Sequence, residues 1–227
     1  SNGITIKACD DANVGDTGVI NGVTYTVVDE TMLREMVANE EDVTTVVTTK
    51  VTDMSEMFEI NTSFNQPIGN WDVSNVFSMF QMFSSATAFN QDISNWDVSN
   101  VTYMGGMFQG ATSFNQPIGN WDVSNVFSMA FMFFGAENFN QDLSSWDIGS
   151  VIDMVFMFQG ATSFNQPIGD WNVSNVTKMT QMFGSATSFN QDLSSWDVEN
   201  VTECLTFNLN TPQWTLPKPN FTNCDPN

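Results

Sequence analysis

Histidine is absent from this chain of 227 residues, and five Lys and Arg stand against 26 Asp and Glu, a formal charge of −21. Without an imidazole, the commonest general base and metal ligand is missing. An acidic excess of this size repels phosphate backbones and anionic headgroups, which excludes nucleic acid and membrane surfaces as partners. No apolar run approaches the roughly 18 residues of a spanning helix, so membrane insertion is not expected. Ser1-Asn2-Gly3-Ile4 lacks the charged-then-apolar pattern of a secretory leader, so the expectation is a leader already removed or an excised segment. There is no G-x-S-x-G, no phosphate loop and no cysteine in a nucleophilic setting. Paired carboxylates could serve a glycosidase, but every candidate Asp recurs with the repeat described below, which suits a scaffold better than a unique acid/base pair. The expectation is that the chain is not an enzyme.

Cysteine is also scarce. Cys9, Cys204 and Cys224 lie outside the regular part of the chain, and the last two bracket a tail with three prolines. A Cys204–Cys224 bridge would staple that tail and would fit an oxidising compartment. The odd count leaves Cys9 as a free thiol, a partner for another chain, or an alternative partner for Cys204 or Cys224.

What the chain has in abundance is repetition. From Phe64 the pattern F-N-Q-[PD]-[IL]-x-x-W-[DN]-[VI]-x-x-V-x-x-M-x-x-M-F-x-x-A returns at Phe89, Phe114, Phe139, Phe164 and Phe189, every 25 residues without insertion. A degenerate earlier copy carries Val43, Val46, Val51, Met54, Met57 and Phe58 in register, and the last copy breaks down after Val201, with Cys204 in place of a methionine. One such unit cannot bury its own apolar face, so neighbours must stack into a solenoid. Within a unit, Ile68, Trp71 and Val73 end in strand-like alternation, while Val76, Met79, Met82, Phe83 and Ala86 follow the three-and-four spacing of a short helix. The predicted coil is therefore one short parallel strand and one short helix. Trp and Met at fixed spacing read as core filler, and the Asn column at 75, 100, 125, 175 and 200 as turn residues that satisfy backbone groups.

These residues resemble the BspA-type leucine-rich-repeat surface proteins of bacteria, in the branch whose coils read F-N-Q-[DP]-[IL]-[SG]-x-W-[DN]-[VI]-S-N-V-x-x-M-x-x-M-F, over about Val43 to Val201. The resemblance implies a right-handed α/β solenoid of the leucine-rich-repeat type and a binding or adhesive role outside the cell. Its strand segment is one residue shorter than that of leucine-rich repeats. The expected organisation is an N-terminal cap over 1–42, a hairpin with Ile20-Asn21-Gly22-Val23 at its turn and a helix from Asp29 to Ala38; a solenoid of about seven coils over 43–202; and a C-terminal cap with the proline-rich tail over 203–227.

Two candidate sites follow. Asp72, Asp97, Asp122, Asp147 and Asp197, interrupted by Asn172, should stand in a column, with coils ~4.8 Å apart. Such a column needs either hydrogen bonds from the neighbouring Ser and Asn turn or a cation such as calcium, the one cofactor the composition suggests; without a dense D-x-D-x-D loop, hydrogen bonds are the preferred reading. The other candidate is a flank that the repeat does not dictate. Phe77 and Phe80, then Phe127, Phe131 and Phe134, then Ile152, Val155 and Phe156 make it apolar, and the small Gly105 and Gly106 between the aromatic groups should leave a trough. An apolar surface that core packing does not require marks a binding site for a protein, a peptide, a sugar ring stacked on phenylalanine, or a second copy of the chain. The competing reading is satellite core covered by neighbours. The sequence thus points to an extracellular or cell-surface binding module; the alternative is a structural spacer rigidified by calcium on the acidic column.

Overall fold

The computed structural model describes residues 4–227, and its regular secondary structure is confined to the first fifty. β1 (Thr17–Ile20) and β2 (Val23–Val27) form an antiparallel hairpin, with Asn21 and Gly22 at positive φ in its two-residue turn. α1 (Glu30–Ala38) starts where the Asp29 carboxylate accepts the Met32 N–H at 2.8 Å. β3 (Val46–Val47) pairs in parallel with β2 and ties the hairpin to the first coil. Leu33 of α1 is fully buried on the end of the stack, and Arg34 donates to the Ser55 carbonyl at 2.9 Å, taking up an acceptor that no earlier coil is present to use.

From there to Glu203 the chain is a stack of coils with one continuous core. The expected strand and helix in each coil are not there. The only β-type pairing in the stack is a row of single parallel bridges, Asp53–Ser78–Tyr103–Ser128–Asp153–Lys178–Glu203, and it lies after the Ile68–Val73 segment that was expected to be the strand. The remainder of each coil consists of four-residue turns. In the Phe64 coil the N–H groups of Trp71, Val76, Met82, Ala86 and Phe89 bond the carbonyls of Ile68, Val73, Met79, Phe83 and Ala86, each three residues back. A chain of such turns sends its end residues inward, and this places apolar residues three apart, the spacing a helix stripe would also show.

Inter-coil hydrogen bonds explain why no helix forms. Met79, Gln81, Phe83 and Ser85 donate their N–H groups to Tyr103, Gly105, Met107 and Gln109 of the next coil at 2.6–2.9 Å. An α-helix would need those donors within its own segment. The two turns 79–82 and 83–86 carry positive φ at their third residues, 51° at Gln81 and 58° at Ser85, as type II turns require. Glu56, Gly106, Phe131, Phe156, Gln181 and Thr206 repeat the first of these positions in the other coils, all at positive φ.

Side chains close the rest of the stack. Each buried Trp indole donates to a carbonyl of the preceding coil, as Trp96 does to Ile68 at 3.2 Å and Trp146 to Ile118 at 3.0 Å. The tryptophans are therefore inter-coil fasteners as well as core filler. Two phenylalanine columns run side by side, with rings 3.9 Å apart within a coil (Phe83–Phe89) and 5.7 Å between coils (Phe83–Phe108). At the far end Trp214 packs edge-on against Phe189, and Cys204 and Cys224 are joined in a disulfide that holds the tail there. Cys9 is free and exposed.

Candidate binding surface

The acidic column is built from turns. In Asp97 and Asp122 the Oδ1 accepts both the N–H and the hydroxyl of the serine two residues on, at 3.2 and 2.6 Å for Ser99 and 3.1 and 2.6 Å for Ser124. Asp147 accepts the Gly149 N–H at 3.0 Å and Asp197 the Glu199 N–H at 3.2 Å. Hydrogen bonds from Ser124 hold the Asp122 carboxyl below the usual carboxylate range, and Ser94 does the same for Asp92 in a second row. Asn172 makes the same turn with its amide oxygen, accepting from the Ser174 N–H at 3.2 Å and hydroxyl at 2.7 Å, so the turn does not need the charge. Among the described residues no three Asp, Glu, Cys or His side chains converge as a metal site would require.

Asp72 differs from the rest of its column. The N-terminal segment crosses it: the Ile6 N–H donates to the Asn70 carbonyl at 2.9 Å and the Lys7 ammonium sits 3.4 Å from Asp72 Oδ1. Asp72 is buried as a result, with its Oδ2 unpartnered, whereas Asp97, Asp122, Asp147 and Asp197 are exposed. Burial pushes the Asp72 carboxyl up, but the Ser74 hydrogen bonds, the nearby Thr49 hydroxyl and Lys7 together outweigh it and bring it below its ordinary value.

The variable flank consists of the residues between the ends of the turns. Phe77, Phe80, Phe127 and Ile152 are 48, 42, 46 and 46 % exposed, and Tyr103, which the sequence reading passed over, is 52 % exposed. Tyr103 escaped notice because its column holds Ser78 and Ser128 in the adjacent coils, so no apolar pattern flagged it. Phe131, Phe134 and Phe156 are half-buried and gather into one cluster, with ring centroids 4.8 Å apart for Phe131–Phe156 and 5.9 Å for Phe131–Phe134. Val155 beside them is also half-buried.

The trough expected at Gly105 and Gly106 does not exist. Both glycines are buried, because side chains of the preceding coil lean over them: the Phe80 ring would lie 3.5 Å from a Cβ at Gly105, and the Gln81 side chain 2.9 Å from one at Gly106. The glycines are floor beneath Phe80 and Gln81, and the surface there is a ridge rather than a groove.

Phe131 and Phe156 carry a further cost. Their φ angles are 60° and 59°, in the left-handed region that bulky side chains avoid by roughly 1–2 kcal/mol. Gly106 occupies the same turn position one coil earlier, so the fold accepts glycine there, yet two successive coils hold phenylalanine.

Another column went unremarked in the sequence although its residues are the N and Q of every F-N-Q. Asn65 Oδ1 accepts the Asn90 N–H at 3.0 Å and the Gln91 amide at 2.9 Å, and the same pair of bonds recurs from Asn90 to Asn165. Asn190 ends the ladder by accepting the N–H groups of Thr215 and Leu216, which docks the tail. The Asn75 column behaves as a turn column should, Asn100 donating to the Ser74 carbonyl at 2.7 Å and Asn125 to Ser99 at 2.8 Å.

A family model described as a Mycoplasma protein of unknown function, DUF285, matches residues 29–134 and again 116–213. The chain belongs to this family. The overlapping matches run over α1 and the stacked coils, so the DUF285 signature and the repeat are the same feature. No curated protein and no solved structure matches the chain. Among the described residues no helix is long and apolar enough to cross a membrane, and the disulfide suits an oxidising environment.

Proposed function

We propose that this DUF285 chain is a non-enzymatic binding module displayed outside the cell, which engages a polypeptide through the apolar ridge of Phe77, Phe80, Tyr103, Phe127 and Ile152. The observation that carries the reading is the exposure of these residues in columns that the stack leaves free to vary. Thr102 and Thr177 occupy the same column as Phe77, Phe127 and Ile152 and make the same backbone bond to the preceding coil, so the fold has no need of an aromatic there. Large exposed apolar side chains in four successive coils are uncommon on a protein without a partner. The left-handed Phe131 and Phe156 support the reading, since strain retained at a surface is a mark of function. The resemblance to BspA-type surface proteins supports the external location and a right-handed leucine-rich-repeat-like path for the coil.

The test is selection of binders from a displayed random-peptide library on the immobilised protein, followed by measurement of each binder on the Phe77→Ser/Phe127→Ser variant. Binders that lose at least tenfold in affinity, on a variant with unchanged thermal midpoint, support the ridge. Binding unaffected by the double substitution, or a large fall in midpoint, would overturn it, the second outcome showing that the rings are satellite core.

A further inference from the structure

The ridge has a charged border, and the two together define what lies on it. Asp97, Asp122 and Asp147 precede Tyr103, Phe127 and Ile152 in the same three coils. A single four-residue turn separates Asp122 from Phe127 and Asp147 from Ile152, closed by the Val126 N–H to Val123 carbonyl and Val151 N–H to Ile148 carbonyl bonds at 2.9 Å; in the Asp97 coil the same turn is followed by Thr102 before Tyr103. The ends of such a turn stand less than about 7 Å apart. Exposed carboxylates before this turn and exposed apolar side chains after it thus recur through three successive coils.

No described residue forms an ion pair with that row. The three ion pairs among the described residues are Lys7–Asp72, Arg34–Glu30 and Lys178–Glu203, and none involves Asp97, Asp122 or Asp147. Where the column does meet a cation, at Asp72, the cation comes from the chain's own N-terminal segment. One coil beyond Ile152 the position of Phe127 holds Thr177 and that of Asp122 holds Asn172, whereas in the Asp97 coil Thr102 stands at the Phe127 position and the exposed ring is Tyr103, one residue on.

We infer that the occupant of the ridge is a basic amphipathic segment of a foreign polypeptide, its apolar side chains on Tyr103, Phe127 and Ile152 and its Lys or Arg side chains on Asp97, Asp122 and Asp147. This rests on the ridge being a binding surface, as proposed above, and adds the charge of its partner. A second copy of the chain is a poor occupant, because each copy carries a formal charge of −21 and would set its carboxylates against another acidic surface. A basic segment is drawn to the same field and gains desolvated contacts once seated.

The chain itself supplies a clean substitution. Asn172 keeps the turn without the charge, so Asp97→Asn/Asp122→Asn/Asp147→Asn removes three charges and leaves the stack intact. The probe is a fluorescein-labelled amphipathic Leu/Lys peptide, with one counterpart in which every Lys is Glu and another in which every Leu is Ser, titrated by anisotropy over a salt series. The parent peptide should bind and weaken with salt, both counterparts should fail, and the triple Asn variant should lose about tenfold, as three modest exposed ion pairs together imply. If the triple variant binds as tightly as the parent protein, or the Glu peptide binds equally well, the inference is wrong while the apolar ridge stands. If the triple variant weakens binding but Phe77→Ser/Phe127→Ser does not, the contact is unspecific charge, and the inference and the ridge both fall. Concentration-dependent sedimentation abolished by the Phe substitutions would instead assign the ridge to a second copy and overturn the inference.

Discussion

In the turns 79–82 and 83–86 and their counterparts in the other coils, the end residues and the middle residues obey different rules. The ends of turns 79–82 and 83–86, Met79, Met82, Phe83 and Ala86, recur almost unchanged from coil to coil and are fully buried. The residues between them vary along the stack: Phe80 gives way to Gly105, Ala130, Val155 and Thr180, and Gln81 to Gly106, Phe131, Phe156 and Gln181. Their backbones make the same inter-coil bonds throughout, so the ladder is indifferent to the side chain. Stability is therefore carried by one set of positions and surface identity by the other, which is how a repeat array can acquire a binding surface without losing its fold.

The division is broken most directly at Trp121, which is 3 % exposed and donates its indole to the Ile93 carbonyl. Trp121→Ala should cost about 3–5 kcal/mol in chemical denaturation, whereas Phe127→Ser, six residues on, should stay within about 0.5 kcal/mol. Equal effects would mean that the buried turn ends and the variable surface positions are not distinct. Next in size is the disulfide, which closes a segment with a sequence separation of 20. Its reduction should cost about 3 kcal/mol, and hydrogen exchange should show the loss in the last coil and tail while the coils around Phe114 and Phe139 remain protected.

A smaller effect tests the strained column. Phe131→Gly relieves a left-handed phenylalanine but removes a ring from the Phe134 and Phe156 cluster. The two should offset to within about 1 kcal/mol of the parent in denaturant midpoint, with a loss of peptide binding if the cluster belongs to the ridge. The smallest effect is acid sensitivity. Asp92, Asp122, Asp142 and Asp192 have folded-state carboxyls held below the ordinary value by hydrogen bonds from the residue two positions on. A depressed folded pKa gives stability that is fully present above the unfolded value of about 3.9 and is lost as pH falls through the folded one. The thermal midpoint should be insensitive to these groups from neutrality down to about pH 5 and should decline below about pH 4; because the carboxylates are exposed, that decline should be shallow.

Much of the molecule is legible before any coordinates exist, for an identifiable reason. A period of 25 residues with invariant Trp, Met and Phe can be satisfied only by stacking, so the solenoid and its core follow from spacing alone. The Cys204–Cys224 bridge is the pairing the sequence favours, with Cys9 as the alternative partner, and the structure contains it with the two Cα atoms 5.9 Å apart. The internal form of the coil was misread because helical periodicity and successive four-residue turns both place apolar residues three apart. Periodicity records which residues face the core, not where their N–H groups find acceptors.

The sequence by itself determined that identical units stack, which side chains fill the interior, and that the chain is strongly acidic. Only the tertiary structure decided that the coils are joined turn by turn through backbone bonds to the next coil. Only it showed that Gly105 and Gly106 are covered by Phe80 and Gln81, that Tyr103 is exposed, and that Lys7 pairs with Asp72 while no described residue forms an ion pair with Asp97, Asp122 or Asp147. All of these depend on residues 24 or more positions apart meeting across a coil boundary, where the side chain above, not the local sequence, sets exposure.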